Sequence, residues 1–131
     1  MTTKSRQIAV FIVMLACSAI LAVASYHHLH REWIMYRKGE RLMSDRDYEG
    51  AIPFLAAARG ISDTNPRVLK DLGLACIAAG RFPEAADAFR AYLRHDPLNR
   101  GARIQLARAL FWSGRYHESA AEYKTALGEH P

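Results

Sequence analysis

Cysteine is nearly absent from this sequence, with two residues in 131. Cys17 lies in an apolar run and Cys76 in a patterned segment far from it, so the two cannot pair and a disulfide framework is excluded. Also missing are a nucleophile elbow, a phosphate-cradling glycine loop, a metalloprotease helix and paired acids in a defined turn. Blocks of one charge are missing too. The net charge of +5 falls to +3 over residues 27–131, where 16 Lys and Arg alternate with 13 Asp and Glu. Interspersed charge of this kind marks a solvated helical surface and argues against a nucleic-acid-binding stripe. We expect no enzyme, no cofactor, no metal and no nucleic-acid partner.

Charge is wholly absent from residues 8–26, IAVFIVMLACSAILAVASY. As a helix this run extends roughly 28 Å, close to the hydrocarbon thickness of a bilayer. Its Ile, Leu, Val and Phe residues contribute about −4 kcal/mol on the insertion scale, which favours membrane engagement. Lys4 and Arg6 before the run, and Ala22-Val23-Ala24 ahead of Ser25, also describe a secretory signal cleaved after Ala24. Both readings stand, with the retained span preferred for its length. Arg31, Arg37, Lys38, Arg41 and Arg46 follow the span and by count favour a cytosolic domain. A following segment of about 100 residues can translocate regardless of charge. The expectation is a single-pass protein of a bacterial inner membrane with its larger part in the periplasm.

The remaining sequence repeats every 34 residues. Leu69-x-x-Leu72-Gly73-x-x-Cys76, Ala85-x-x-x-Phe89 and Pro97 return as Arg103-x-x-Leu106-Ala107-x-x-Leu110, Ser119-x-x-x-Tyr123 and Pro131. Upstream, Met35-x-x-Lys38-Gly39-x-x-Leu42 and Ala51-x-x-x-Leu55 form a third copy, with Asp63 where the others have proline. Gly80 and Gly114 suit helix ends, Pro83 a helix start, and Pro66 and Pro97 junctions between units. The spacing predicts helices over 31–44, 47–60, 66–79, 82–95, 99–113 and 116–128. Arg46 stands where the other turns have glycine, which weakens the first turn, although Asp47 can cap the next helix. Pro53 should remove a hydrogen bond and bend that helix.

Period and residue order resemble the tetratricopeptide repeat. The resemblance implies three helix-turn-helix repeats in a right-handed α-solenoid, an α-α superhelix; with the apolar run before them, the expected chain is all-α, an N-terminal transmembrane helix followed by the three repeats. The expected units are a short tail at 1–7, a transmembrane helix or uncleaved signal anchor at 8–26, a juxtamembrane segment at 27–31, and repeats at 32–65, 66–99 and 100–131. Small residues at Gly39 and Ala51, Gly73 and Ala85, and Ala107 and Ser119 would let paired helices cross closely. Leu42, Leu55, Leu69, Leu72, Phe89, Leu106, Leu110 and Tyr123 form the apolar stripe of a core.

In this family the other side of each repeat's first helix lines a groove. The resemblance places Trp33, Tyr36, Glu40 and Met43, then Arg67, Lys70, Leu74 and Ile77, then Ile104, Arg108, Phe111 and Trp112 there. Chaperone-binding members hold two carboxylates with a Lys, Asn and Arg clamp; the matching places here hold Tyr36, Glu40, Asp71 and Gln105, so the clamp is absent. An apolar groove edged by Arg67, Lys70 and Arg108 suits an extended peptide or amphipathic helix carrying acidic groups. Phe111 and Trp112 could instead pack against neighbouring helices.

The chain stops at Pro131 without a polar capping helix, so self-association or obligate complex formation is expected through the last repeat. No Pro or Gly separates Tyr26 from Gly39, so the membrane helix could run on into the first repeat. His27, His28 and His30 raise the alternative of a haem- or metal-binding membrane subunit, but adjacent helical residues face apart and no carboxylate or cysteine joins them at ligand spacing. The leading reading is a membrane-anchored adaptor that recruits or holds protein partners during assembly of an envelope or secretion complex. A soluble periplasmic binding module released after Ala24 is the second.

Overall fold

The structure, a computed structural model, describes residues 2–128; Met1, Glu129, His130 and Pro131 lie outside it, and with them the proline that closes the third copy. Six helices follow one another: α1 Thr3–Ser44, α2 Tyr48–Ile61, α3 Pro66–Ala78, α4 Phe82–His95, α5 Arg100–Trp112 and α6 Tyr116–Leu127. Among the described residues there is no strand. Each helix packs chiefly on the one before and the one after, the one-dimensional order of a solenoid.

The helix-to-helix turns share one construction. Asp47, Arg81 and Arg115 each donate a backbone N–H to the carbonyl five residues back, on Leu42, Cys76 and Leu110, at 2.9, 2.8 and 2.9 Å. The residue before each donor bonds three back, closing the paired bonds that end a helix in a left-handed residue. Gly80 (φ 76°) and Gly114 (φ 79°) take that conformation without a Cβ penalty. Arg46 takes it as well, at φ 61°, so the first turn keeps the geometry despite its missing glycine. Asp47 caps α2 by accepting from the Gly50 N–H at 2.9 Å, as its position suggested. Asn65 and Asn99 do the same for α3 and α5. Pro53 does not break α2, which runs unbroken from Tyr48 to Ile61 with the proline exposed on its outer side.

Small residues fix how closely the paired helices approach. A Cβ on Gly39 would meet Leu55 Cγ at 2.7 Å, and one on Gly73 would meet Phe89 Cε2 at 2.7 Å. In the third repeat the Ser119 hydroxyl donates to the Ala107 carbonyl at 2.8 Å, so contact there is polar as well as close. Leu55, Leu69, Leu72, Phe89, Leu106 and Leu110 are buried, while Leu42 and Tyr123 are half-buried. Burial of each large side chain contributes about 1.5–3 kcal/mol. Cys76 is buried among them, and burial pushes its thiol up to about 11, which keeps it protonated and unreactive near neutrality.

Helix α1 joins two segments of different character. It begins at Thr3, inside the segment expected as a tail, and continues without interruption through 8–26 and 27–31 into the first repeat. Residues 8–26 are exposed throughout, and an 18-residue window of α1 has a mean hydropathy of 2.7, so this helix is long and apolar enough to cross a membrane. From Glu32 onward the same helix is packed, with Glu32, Tyr36 and Gly39 buried.

Candidate functional site

Within each repeat the first helix, α1, α3 or α5, packs on its partner across a three-residue turn, which reverses the chain. Between α1 and α3 lies a cavity of about 610 Å³ lined by Trp33, Tyr36, Arg37, Glu40, Asn65, Pro66 and Arg67. Between α3, α4 and α5 lies a smaller hollow of about 190 Å³, whose walls include Lys70, Leu74, Phe89, Tyr92, Asn99 and Gln105. Of the residues expected on this face, Trp33, Tyr36, Glu40 and Arg67 thus come together in the first, and Lys70 and Leu74 in the second. Met43, Leu74 and Ile77 also pack against the core, so only part of each is offered outward. Ile104 is half-buried and Arg108 exposed; neither lines the two hollows.

The four places that would hold a carboxylate clamp are occupied by side chains bonded within the chain. Tyr36 donates its hydroxyl to Asp71 Oδ2 at 2.7 Å, joining α1 to α3. Burial, then the Asp71 bond and charge, raise the Tyr36 phenol well above its ordinary range, so it stays a neutral donor. Glu40 accepts from Arg37 at 2.7 Å, and Gln105 accepts from Arg108 at 3.3 Å. Acidic and neutral groups therefore stand where that clamp has Lys, Asn and Arg, and the nearby cations are Arg37, Arg67, Lys70 and Arg108.

Phe111 and Trp112 belong to a different construction. They sit at the end of α5, 47% and 63% exposed, and their rings meet edge to face at 5.4 Å. Trp112 stacks at 6.0 Å on Phe82 from the preceding repeat, and Phe111 meets Tyr116 at 5.3 Å. This aromatic cluster lies at the turn edge and not between the first helices. Phe82 and Tyr116 are members that the groove pattern does not include, although the sequence carries a signal for them: Tyr48, Phe82 and Tyr116 recur every 34 residues as the first residue of α2, α4 and α6.

At the other end of the groove face, Tyr26, His30, Trp33 and Arg37 form a ladder on α1. Tyr26 stacks on His30 at 5.7 Å, His30 on Trp33 at 6.0 Å, and the Arg37 guanidinium lies 5.9 Å from the Trp33 ring. His30 is thus engaged in stacking. Among the described residues no three His, Cys, Asp or Glu side chains gather where they could hold a metal ion.

A tetratricopeptide repeat family model matches residues 42–94 and 77–131. No curated protein matches the chain by sequence. Among solved structures, a point mutant of MamA is 25% identical with a TM-score of 0.68, over 76% of this chain and 73% of that one. The Arabidopsis OM64 TPR domain is 21% identical with a TM-score of 0.66, over 79% of this chain and 86% of that one. The first TPR of Spaghetti (RPAP3), solved bound to an HSP90 peptide, is 17% identical with a TM-score of 0.65, over 78% and 81% respectively. With its six helices, shared turn construction and close glycine crossings, the chain belongs to the tetratricopeptide repeat family, and its repeats form a protein–protein interaction module.

Proposed function

We propose that this chain is a membrane-anchored adaptor. In this reading residues 8–26 cross the membrane once, and the repeats at 32–65, 66–99 and 100–131 hold protein partners during assembly of a bacterial envelope or secretion complex. The observation that carries it is the continuity of α1, an exposed apolar stretch that becomes the first helix of the repeat array without a break. The amino terminus lies inside and the repeats face the periplasm. The chain has no reaction of its own.

The partner is an extended peptide or amphipathic helix that lays apolar side chains along Trp33, Leu74, Ile77 and Ile104 and places acidic groups near Arg67, Lys70 and Arg108. The Spaghetti repeats carry an HSP90 peptide, SRMEEVD, that is likewise acidic. Because the clamp positions here are engaged by Tyr36, Glu40, Asp71 and Gln105, acidic side chains and not a terminal carboxylate are the groups recognised. Phe111 and Trp112 extend this surface at the turn edge.

Carbonate extraction and intact mass of the purified protein test the tether; retention in the membrane pellet with residues 1–24 present is expected. A mature chain beginning at Ser25 would instead make it a released binding module. For the groove, Arg67→Glu combined with Arg108→Glu should abolish copurification of the partner from solubilised membranes at unchanged helicity. Undiminished recovery would rule this face out.

A further inference from the structure

Because α1 is one helix, it fixes which edge of the solenoid points toward the bilayer. The helix enters the first repeat at Glu32, and Glu32 Oε1 accepts from Asn65 Nδ2 at 2.8 Å, so the loop between α2 and α3 lies level with that residue. Six residues of helix separate Tyr26 from Glu32, about 9 Å of rise. Head groups extend roughly 5–8 Å beyond the hydrocarbon on each side. The loops before α3 and α5 and the end of α6 therefore share the near edge, and the turns at 45–47, 79–81 and 113–115 the far one.

The two edges differ in charge. Among the described residues, 27–32, 59–67, 94–103 and 122–128 hold seven Lys or Arg against four Asp or Glu, whereas 41–49, 79–87 and 113–118 hold four against six. On the near edge Arg67 and Arg100 form no ion pair within the described residues, and both are exposed. The near edge also carries Leu98, 93% exposed, the highest value among the exposed large hydrophobics, with Leu127 beside it at 60%. Leu98 is not on a loose loop. Arg103 holds the loop by donating to the Pro97 carbonyl at 2.8 Å while pairing with Glu122 at 2.7 Å, and Asn99 caps α5 from within it. An apolar side chain held outward beside the unpaired Arg100 matches the boundary between acyl chains and anionic head groups.

We propose that this edge docks on anionic phospholipid, with Leu98 as its apolar contact and Arg100 as its cation, so that the solenoid lies down on the membrane that anchors it. The proposal rests on the reading of 8–26 as a membrane span. Docking would hold the groove at a fixed height and present its outer side to partners along the bilayer surface.

The test uses the full chain in lipid nanodiscs of phosphatidylcholine, with or without phosphatidylglycerol, in a Cys17→Ser background where buried Cys76 stays unlabelled. Fluorophores are placed singly by Ile20→Cys, His95→Cys and Arg115→Cys, and quenched by nitroxides on acyl chains or head groups. Position 20 should be quenched by acyl-chain nitroxide in both lipids. Position 95 should be quenched by head-group nitroxide only with phosphatidylglycerol, and position 115 in neither. Arg100→Gln should lower the docked-to-undocked ratio about fivefold, and Leu98→Ser should lower it further. Quenching at 20 with none at 95 overturns the docking and leaves the span standing; equal quenching at 95 in both lipids overturns the anionic selection. No quenching at 20 overturns the span, and the docking with it.

Discussion

The two halves of α1 share one backbone conformation and almost nothing else. Residues 8–26 are exposed on every side, carry no charge and have no packed face, whereas from Glu32 to Met43 side chains alternate between core and surface at helical spacing. The first half is satisfied within its own backbone and needs only an apolar surrounding. The second gains its stability from tertiary contacts, as short helices in water generally must. In the proposed reading the same element answers to two solvents, and substitutions in its two halves should read out in different assays.

Leu55→Ala gives the largest contrast. Leu55 is fully buried against the Gly39 backbone, and its truncation should destabilise the repeats by about 3 kcal/mol in chemical denaturation. Val13→Ala in the exposed half should leave that transition unmoved. A loss of more than about 1 kcal/mol from Val13→Ala would mean that the apolar half packs on the repeats. The next effect falls at the joint. Glu32 is 7% exposed and anchors Asn65, so Glu32→Ala should cost about 2 kcal/mol by leaving a half-buried amide donor unpaired. An unchanged denaturation midpoint would show that the two halves are not locked at this level.

Tyr36 sharpens the comparison through pH. Its phenol is raised in the folded chain by burial and by Asp71, so above about pH 10 the unfolded chain releases a proton that the folded chain retains. Stability contributed by Tyr36 is complete below that pH and declines as pH rises further. Tyr36→Phe should cost about 1.5 kcal/mol near neutrality by removing a bond to a carboxylate, and should flatten the alkaline decline. Equal alkaline slopes for wild type and Tyr36→Phe would discard the assignment.

Most of the repeat region was legible because its period is dictated by crossings that admit only small residues. Gly39, Gly73 and Ala107 fix which face of each first helix is inside, and the core leucines follow from helical spacing. The helix boundaries came within about two residues from α2 onward because Gly80, Gly114, Pro66 and Asp47 act locally. The groove was less legible. Spacing could assign Leu74 and Ile77 to its face, but not how much of each the core would take. It could not foresee that Tyr36 and Asp71, 35 residues apart, would bond to each other. The recurrence of Phe82 and Tyr116 marks members of the aromatic cluster, but not that Trp112 reaches across two repeats to Phe82, and the loop geometry that holds Leu98 outward depends on Arg103 reaching back to Pro97, a tertiary fact with no local pattern.

The smallest effect is at the end of α1, where Arg46 adopts the conformation that glycine takes in the other two turns. A left-handed residue with a Cβ costs roughly 1–2 kcal/mol, and glycine removes that strain while losing more backbone entropy on folding. The two terms oppose each other, with the strain slightly larger, so Arg46→Gly should stabilise the repeats by about 0.5 kcal/mol. Gly80→Ala and Gly114→Ala carry the opposite sign, since each introduces a Cβ at a positive φ where none now exists. No nearby atom would meet those new Cβ atoms, so the loss should be conformational alone and alike at the two sites. If Arg46→Gly proves destabilising, the arginine side chain must contribute a contact that outweighs its strained backbone, and the first turn would differ from the other two in energy while matching them in geometry.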